Sequence, residues 1–310
     1  MSLALSQYIP LGTKIPFVQQ RFIAFTVSGL AIIVSIVAFL MLGLNFGIDF
    51  RGGSQIQIAT QGPADLAKIR SVVTNLGLGD VQVQHFGSDS IVRIRIEKQA
   101  GEGIEGANAQ QSAIATVREA LDKNFEGITY RATSVISPKV SGELVNAGIF
   151  AVVGALICML IYIWFRFEWQ FSVGAVVALA HDVILTIGMF SISRLEFNLS
   201  IIAAILTIVG YSMNDTVVVY DRIRENLRRY KRMPLMDVLN LSINETLSRT
   251  TITSFTTLLA LLALFFMGGE VLRGFSFAMI WGVVVGTYSS IFVAAPILLM
   301  LGVNRGEFEE

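Results

Sequence analysis

Two carboxylates and one imidazole interrupt the long apolar stretches of this chain: His181 and Asp182 in one run and Asp215 in the next. An ionised Asp at the centre of a lone membrane helix costs roughly 2.5–3.5 kcal/mol on insertion scales, so each must face a bundle interior or a hydrated crevice, paired or protonated. Burial favours a neutral carboxyl and a neighbouring cation favours an ionised one. An acid held between the two influences can load and release a proton in turn. Asp215 stands five residues before Tyr220, about 7–8 Å inside the end of its run at 1.5 Å per residue. Arg249 enters at a similar depth if the next helix extends back through Leu247, and an Arg–Asp pair at that level can be made and broken as protons bind. Asn214 and Thr216 bring hydrogen-bonding groups to the same point. The competing reading is a fixed Asp215–Arg249 pair that only locks two helices together. For His181 and Asp182 a proton relay and a plain interhelical hydrogen bond stand side by side. The oxygens around Asp215 also make sodium a second candidate for the coupling ion.

The elements that must position these groups are six apolar runs: 22–44, 145–165, 171–191, 199–220, 251–267 and 275–301. Each is near the roughly 20 residues that a helix needs to cross a bilayer. The fifth is short, but the Ser and Thr residues before it can continue the helix by bonding the preceding turn's carbonyls. Composition agrees: 54% of the 310 residues are hydrophobic and 15% charged, against about a quarter charged in soluble domains. With 23 basic and 23 acidic residues the chain lacks the positive excess of a nucleic-acid binder. One cysteine, Cys158, excludes a disulfide framework and a Cys-based metal site. The first run is too long for a signal-peptide core, and no small-x-small cleavage site follows it.

Lys14, Arg21, Arg166, Arg222, Arg224, Arg228, Arg229, Lys231, Arg232, Arg249 and Arg305 fall on one side of the spans, and only Arg194 and Arg273 in the short loops opposite. The positive-inside rule therefore puts both termini, 1–21 and 302–310, and the basic loop 221–250 in the cytoplasm. Contact of that loop with anionic lipid heads is a modest addition. The segment 45–144 then lies outside, and it holds 21 of the 46 charges. Its pattern reads strand 54–60, helix 63–76, strands 81–85 and 91–96 across a turn at 87–90, helix 105–124 and strand 128–136. Residues 99–108, rich in Gly and Ala, read as a loop. The expected fold is thus an α-helical membrane bundle of six transmembrane helices with one α+β, ferredoxin-like (βαββαβ) periplasmic domain.

Three stretches resemble the SecD/SecF family. Gly47-Ile48-Asp49-Phe50-Arg51-Gly52-Gly53 resembles its D-F-x-G-G signature. Residues 210–226, around Asn214-Asp215-Thr216, resemble the fourth-span signature of the SecF branch, and 244–254 the segment that enters its fifth span. The resemblance covers essentially 22–302. It implies a subunit of the accessory complex of bacterial Sec protein export, in the inner membrane, within the resistance-nodulation-division superfamily. Implied partners are a SecD-like subunit completing the bundle, the SecYEG channel, unfolded exported polypeptide and the lipid bilayer. No cofactor is implied beyond the proton gradient, and Asp215 and Arg249 are the residues the resemblance assigns to coupling. Asp49, Phe50, Gly52 and Gly53 mark the family, and the residues alone suggest a tight turn from the first span into the first strand.

Hydrolytic chemistry finds no support. Asp215 and Asp221 share one helix and cannot form an aspartyl dyad across two. Met213 follows Ser212 where a rhomboid-like protease needs glycine, and neither H-E-x-x-H nor a phosphate-cradling G-x-x-x-x-G-K-[ST] occurs. Two non-enzymatic alternatives are a scaffold subunit that holds the export machinery together and a small-molecule efflux subunit. Gly282 and Gly286 with Ser290 form a small-residue face on the sixth span, expected to be a close helix contact.

Overall fold

The computed structural model describes residues 13–101, 103–136 and 138–303; residues 1–12 and 304–310, Arg305 among them, lie outside the described residues. In chain order the elements are α1 (Arg21–Leu42), β1 (Asn45–Phe46), α2 (Ile48–Arg51), β2 (Gly53–Ala59), α3 (Leu66–Thr74), β3 (Val81–Phe86), β4 (Ser88–Ile96), α4 (Gly103–Asn124) and β5 (Thr129–Ile136). Then follow α5 (Pro138–Arg166), α6 (Trp169–Ser193), β6 (Glu196–Phe197), α7 (Leu199–Arg229), α8 (Leu235–Met267), α9 (Glu270–Ser289), a π-turn (Ser290–Ala294) and α10 (Ala295–Leu301). The protein is mostly helical, and among the described residues six helices are long and apolar enough to cross a membrane. Two compact units emerge: the helices, and a smaller unit of 45–151 with 196–199.

In the helical unit, α6, α7 and the α9–α10 helix supply most of the buried surface, whereas few residues of α5 are buried. Close approach comes from glycines. A Cβ on Gly282 would overlap Ile208 of α7, and one on Gly188 would overlap Ser35 of α1, so the small-residue face of the sixth span is a contact within the chain. Pro296, lacking an N–H and clashing with the carbonyl four residues back, explains the π-turn that precedes it.

The expected basic loop 221–250 is mostly helix. α7 runs on to Arg229 because Ile223, Asn226 and Leu227 continue its buried face, and α8 starts at Leu235 behind Pro234. The short fifth run is the apolar end of a 33-residue helix. Its start is tied to the chain before α1: Asn244 accepts from the Ile15 N–H at 3.0 Å and donates to the Ile15 carbonyl at 2.9 Å. Two of the loop's arginines pair within the chain, Arg222 with Glu245 at 2.7 Å and Arg224 with Glu168 at 3.3 Å, which limits their use on lipid. The last span begins at Glu270 rather than 275, straight after Gly269 in the left-handed region (φ 74°).

In the smaller unit the strands lie in the order β3-β4-β2-β5 with antiparallel neighbours. Ile56, Ile58, Val92, Ile94 and Ile96 face Ile69 and Val73 of α3 and Val117 and Leu121 of α4, all fully buried. α3 starts at Leu66, later than the proline at 63 suggests, because Asp65 caps it by accepting from the Lys68 N–H at 3.0 Å. α4 starts at Gly103, so the expected loop over 99–108 is mostly helix: Gly103 and Gly106 cost helix propensity, and the helix forms there as the first turns of a 22-residue helix whose later residues Val117 and Leu121 pack on the sheet. The β3–β4 reversal needs only Gly87 (φ 84°), and Ser88 to Ser90 already belong to β4. β1 and β6 form a parallel pair that no short-range pattern announces.

The D-F-x-G-G motif makes the turn into β2: Gly52 and Gly53 have φ 70° and 109°, and a Cβ on Gly53 would strike the Ile96 carbonyl. Phe50 packs on Phe46 and Phe197 at 5.8 and 6.0 Å between centroids. Asp49 Oδ2 accepts from the Leu199 N–H at 3.0 Å and so caps α7.

Candidate functional site

α6 and α7 carry two buried acids in the interior of the helical unit. Asp215 on α7 is 9% exposed. Thr250 of α8 donates to its Oδ1 at 2.8 Å, and Ser290, at the start of the π-turn, donates to its Oδ2 at 2.6 Å. Asp182 on α6 is 1% exposed. Its Oδ2 accepts from Ser212 of α7 at 2.5 Å and from Ser289 of α9 at 2.8 Å, and its Oδ1 shares a hydrogen bond of 2.8 Å with His181 Nδ1. Each carboxylate is thus held by hydroxyls from two other helices, the arrangement a buried charge requires in place of water.

The expected Asp215–Arg249 ion pair is absent among the described residues. Arg249 is exposed, within electrostatic range of Asp215 but not bonded to it. Along a helix, neighbouring residues point about 100° apart, so when Thr250 faces Asp215 its predecessor Arg249 faces away. The same geometry turns Asn214 outward to an exposed position, while Thr216 is buried. His181 stacks on Tyr288 with centroids 6.0 Å apart, and the Tyr288 hydroxyl reaches α1 at Ser28 (3.0 Å) and the Ala24 carbonyl (3.1 Å).

Sequence reasoning missed Thr250, Ser212, Ser289 and Ser290 as partners of the acids. Hydroxyls are common in membrane helices as back-bonders and gave no periodic signal; the one available cue was the tandem Ser289-Ser290, with Ser290 read only as a small contact residue. A second hydroxyl chain joins the same helices: Tyr211 donates to Ser254 at 3.3 Å, and Ser254 bonds Thr287 at 2.7 Å. Among the described residues no group of three or more His, Cys, Asp or Glu is placed to hold a metal.

Comparison with known proteins gives a consistent picture. The profile "Protein export membrane protein SecD/SecF, C-terminal" matches residues 116–304, and the "SecD/SecF GG Motif" profile matches 37–64. The protein translocase subunit SecF of Cereibacter sphaeroides is 47% identical over 303 residues, covering 96% of this chain and 92% of that one. The SecF of Rickettsia akari is 46% identical over 299 residues, 95% of this chain and 94% of its own. The crystal structure of SecDF from Thermus thermophilus, described as a translocon-associated membrane protein, superposes with a TM-score of 0.84 at 32% identity. A SecDF structure in a super-membrane-facing form gives 0.67 at 31%. Each covers 94% of this chain, which spans 39% of the length of those SecDF chains.

Proposed function

We propose, from the premise that this chain belongs to the SecF family of protein translocase subunits, that Asp215 is the carboxylate through which it couples a proton gradient to polypeptide export. The observation that carries this reading is the buried Asp215 carboxylate between the hydroxyls of Thr250 and Ser290, with the Arg249 guanidinium in range but unbonded. In the ionised state both hydroxyls donate into the carboxylate. Adding a proton reverses the need for at least one of them, because a carboxylic acid O–H must itself find an acceptor. α8 and the π-turn after α9 each supply one of these donors, so their fit against α7 depends on the charge of Asp215. Arg249 would move toward the carboxylate when the proton leaves, and exposed Asn214 would line the path beside it.

One charge moved through about 100 mV supplies about 2.3 kcal/mol, enough to bias a two-state equilibrium tens-fold. The multi-pass fold and the family support an inner-membrane position with both termini cytoplasmic and the smaller unit periplasmic. The β3-β4-β2-β5 order with two helices supports the ferredoxin-like class for that unit. The solved neighbour is a SecDF protein, which supports a SecD-like part as the partner that completes the bundle. SecYEG and unfolded polypeptide are the further partners of this reading. The relatives are named as protein translocase subunits, which does not favour efflux. The deciding experiment is export into vesicles carrying Asp215→Asn, under an imposed pH gradient and then under a sodium gradient. Assembly should stay normal and proton-driven export should be lost. Export that survives the substitution removes Asp215 from the mechanism, and dependence on sodium alone replaces the ion.

A further inference from the structure

We propose that Asp182 is a second proton-binding carboxylate, tied to Asp215 through the adjacent Ser289 and Ser290, so that the two acids titrate as one unit. The inference rests on the reading of Asp215 given above and extends it to a group that reading does not use.

Three observations lead to it. First, consecutive residues of one helix each donate to a different buried acid: Ser289 to Asp182 at 2.8 Å and Ser290 to Asp215 at 2.6 Å. Second, each serine has another acceptor one turn back on its own helix, the Gly286 carbonyl at 3.2 Å for Ser289 and the Thr287 carbonyl at 3.0 Å for Ser290. A hydroxyl carries one proton and can serve one of these acceptors fully at a time. Third, His181, 2% exposed, has its Nε2 buried without a hydrogen-bond partner while its Nδ1 meets Asp182, so the Asp182 side of the pair carries uncommitted polar capacity.

The step that follows balances simply. When a proton from the aqueous phase binds Asp182 Oδ2, that oxygen becomes an O–H donor. It then donates into the Ser289 oxygen, whose own hydrogen rotates onto the Gly286 carbonyl. Loss of the proton to the aqueous phase reverses both rotations, and no other bond changes. Ser290 makes the same exchange between Asp215 and the Thr287 carbonyl. Because Ser289 and Ser290 share a peptide unit at the start of the π-turn, where the i→i+4 ladder is already interrupted, a shift that suits one acid moves the donor of the other. Groups that interact in this way titrate with properties of the pair. The titratable groups that face Asp182 are His181 on its own helix and, from α9, Tyr288 stacked on that imidazole; from α7 comes Ser212, and Asp215 lies beyond the serine pair. Among the described residues no Lys or Arg forms an ion pair with it.

The test is pH-difference infrared spectroscopy of the chain assembled with its partner in lipid, with protons as the only ligand. The wild type should show two protonated-carboxyl components. Asp182→Asn should remove one and Asp215→Asn the other, and each should move the midpoint of the survivor by at least about half a pH unit, roughly threefold in proton affinity. Ser290→Ala, which alters a contact of Asp215 alone, should also move the Asp182 component. If Asp182→Asn removes no component, or if the survivors keep their wild-type midpoints, the proposal is overturned. Loss of a component in Asp182→Asn but none in Asp215→Asn would refute the Asp215 reading itself and the coupling with it. Should Asp182→Asn fail to assemble, Ser289→Ala keeps both acids in place; an unmoved Asp182 component there is equally fatal.

Discussion

Replacing Asp49 by Ala tests whether the family motif acts through the helix that carries Asp215. Asp49 Oδ2 accepts from the backbone N–H of Leu199, the first residue of the 31-residue α7. Removing a side-chain cap costs about 0.5–2 kcal/mol, and losing a negative charge at a helix N-terminus costs a further 0.3–1, so about 1–3 kcal/mol of local stability should disappear. At 1.4 kcal/mol per factor of ten, amide exchange in the first turn of α7 should accelerate roughly 5- to 150-fold. Asp49→Asn keeps the oxygen acceptor and loses only the charge, which predicts about a 2- to 5-fold effect. Hydrogen–deuterium exchange of peptides spanning 196–204, with the protein in lipid discs, reads both numbers. Exchange in Asp49→Ala equal to wild type would refute the capping role, and equal effects of Ala and Asn would assign it to charge alone.

The motif itself was legible in the sequence and its job was only half legible. The turn into β2 follows from two adjacent glycines, a local property. The cap on Leu199 joins residues 150 positions apart and depends on β1 pairing with β6, two-residue strands too short to carry a pattern. The same division runs through the site. Asp182, His181 and Asp215 stand out because an ionisable group in an apolar run is costly and must find a partner, whereas Thr250 and Ser289 look like every other hydroxyl in a membrane helix. For Arg249 the rise per residue gives a level along its helix but not a facing: which of two neighbours meets Asp215 is selected by the tertiary fit, and Thr250 makes the bond. The spans were found because apolar length is a strong signal. The helix beyond the apolar runs carries no such signal, because α7 and α8 continue there as amphipathic helices, with Ile223, Leu227, Val238 and Leu239 buried between charged faces.

Gly282→Ala would set a methyl group against Ile208; overpacking of about 1–3 kcal/mol exceeds the gain of about 1 kcal/mol in helix propensity, so the thermal midpoint in detergent should fall. Leu121→Ala opens a cavity between α4 and the sheet and should cost about 2–5 kcal/mol, read as faster exchange across β2 and β4 with the helical unit unaffected. Tyr130 gives the smaller unit an alkaline limit. Burial first, and then its hydrogen bond to Asp122 at 2.8 Å, push the phenol above its ordinary value of 10.0. A phenol that ionises later when folded stabilises the fold in its neutral form. That contribution is complete below about pH 10 and is lost as pH rises from the unfolded toward the folded value, which gives the slope of stability with pH a negative sign there. Tyr130→Phe has no proton to lose, so the melting temperature of the smaller unit should fall less steeply above pH 10 in the variant than in the wild type. Parallel curves would mean that Tyr130 ionises as freely in the fold as out of it.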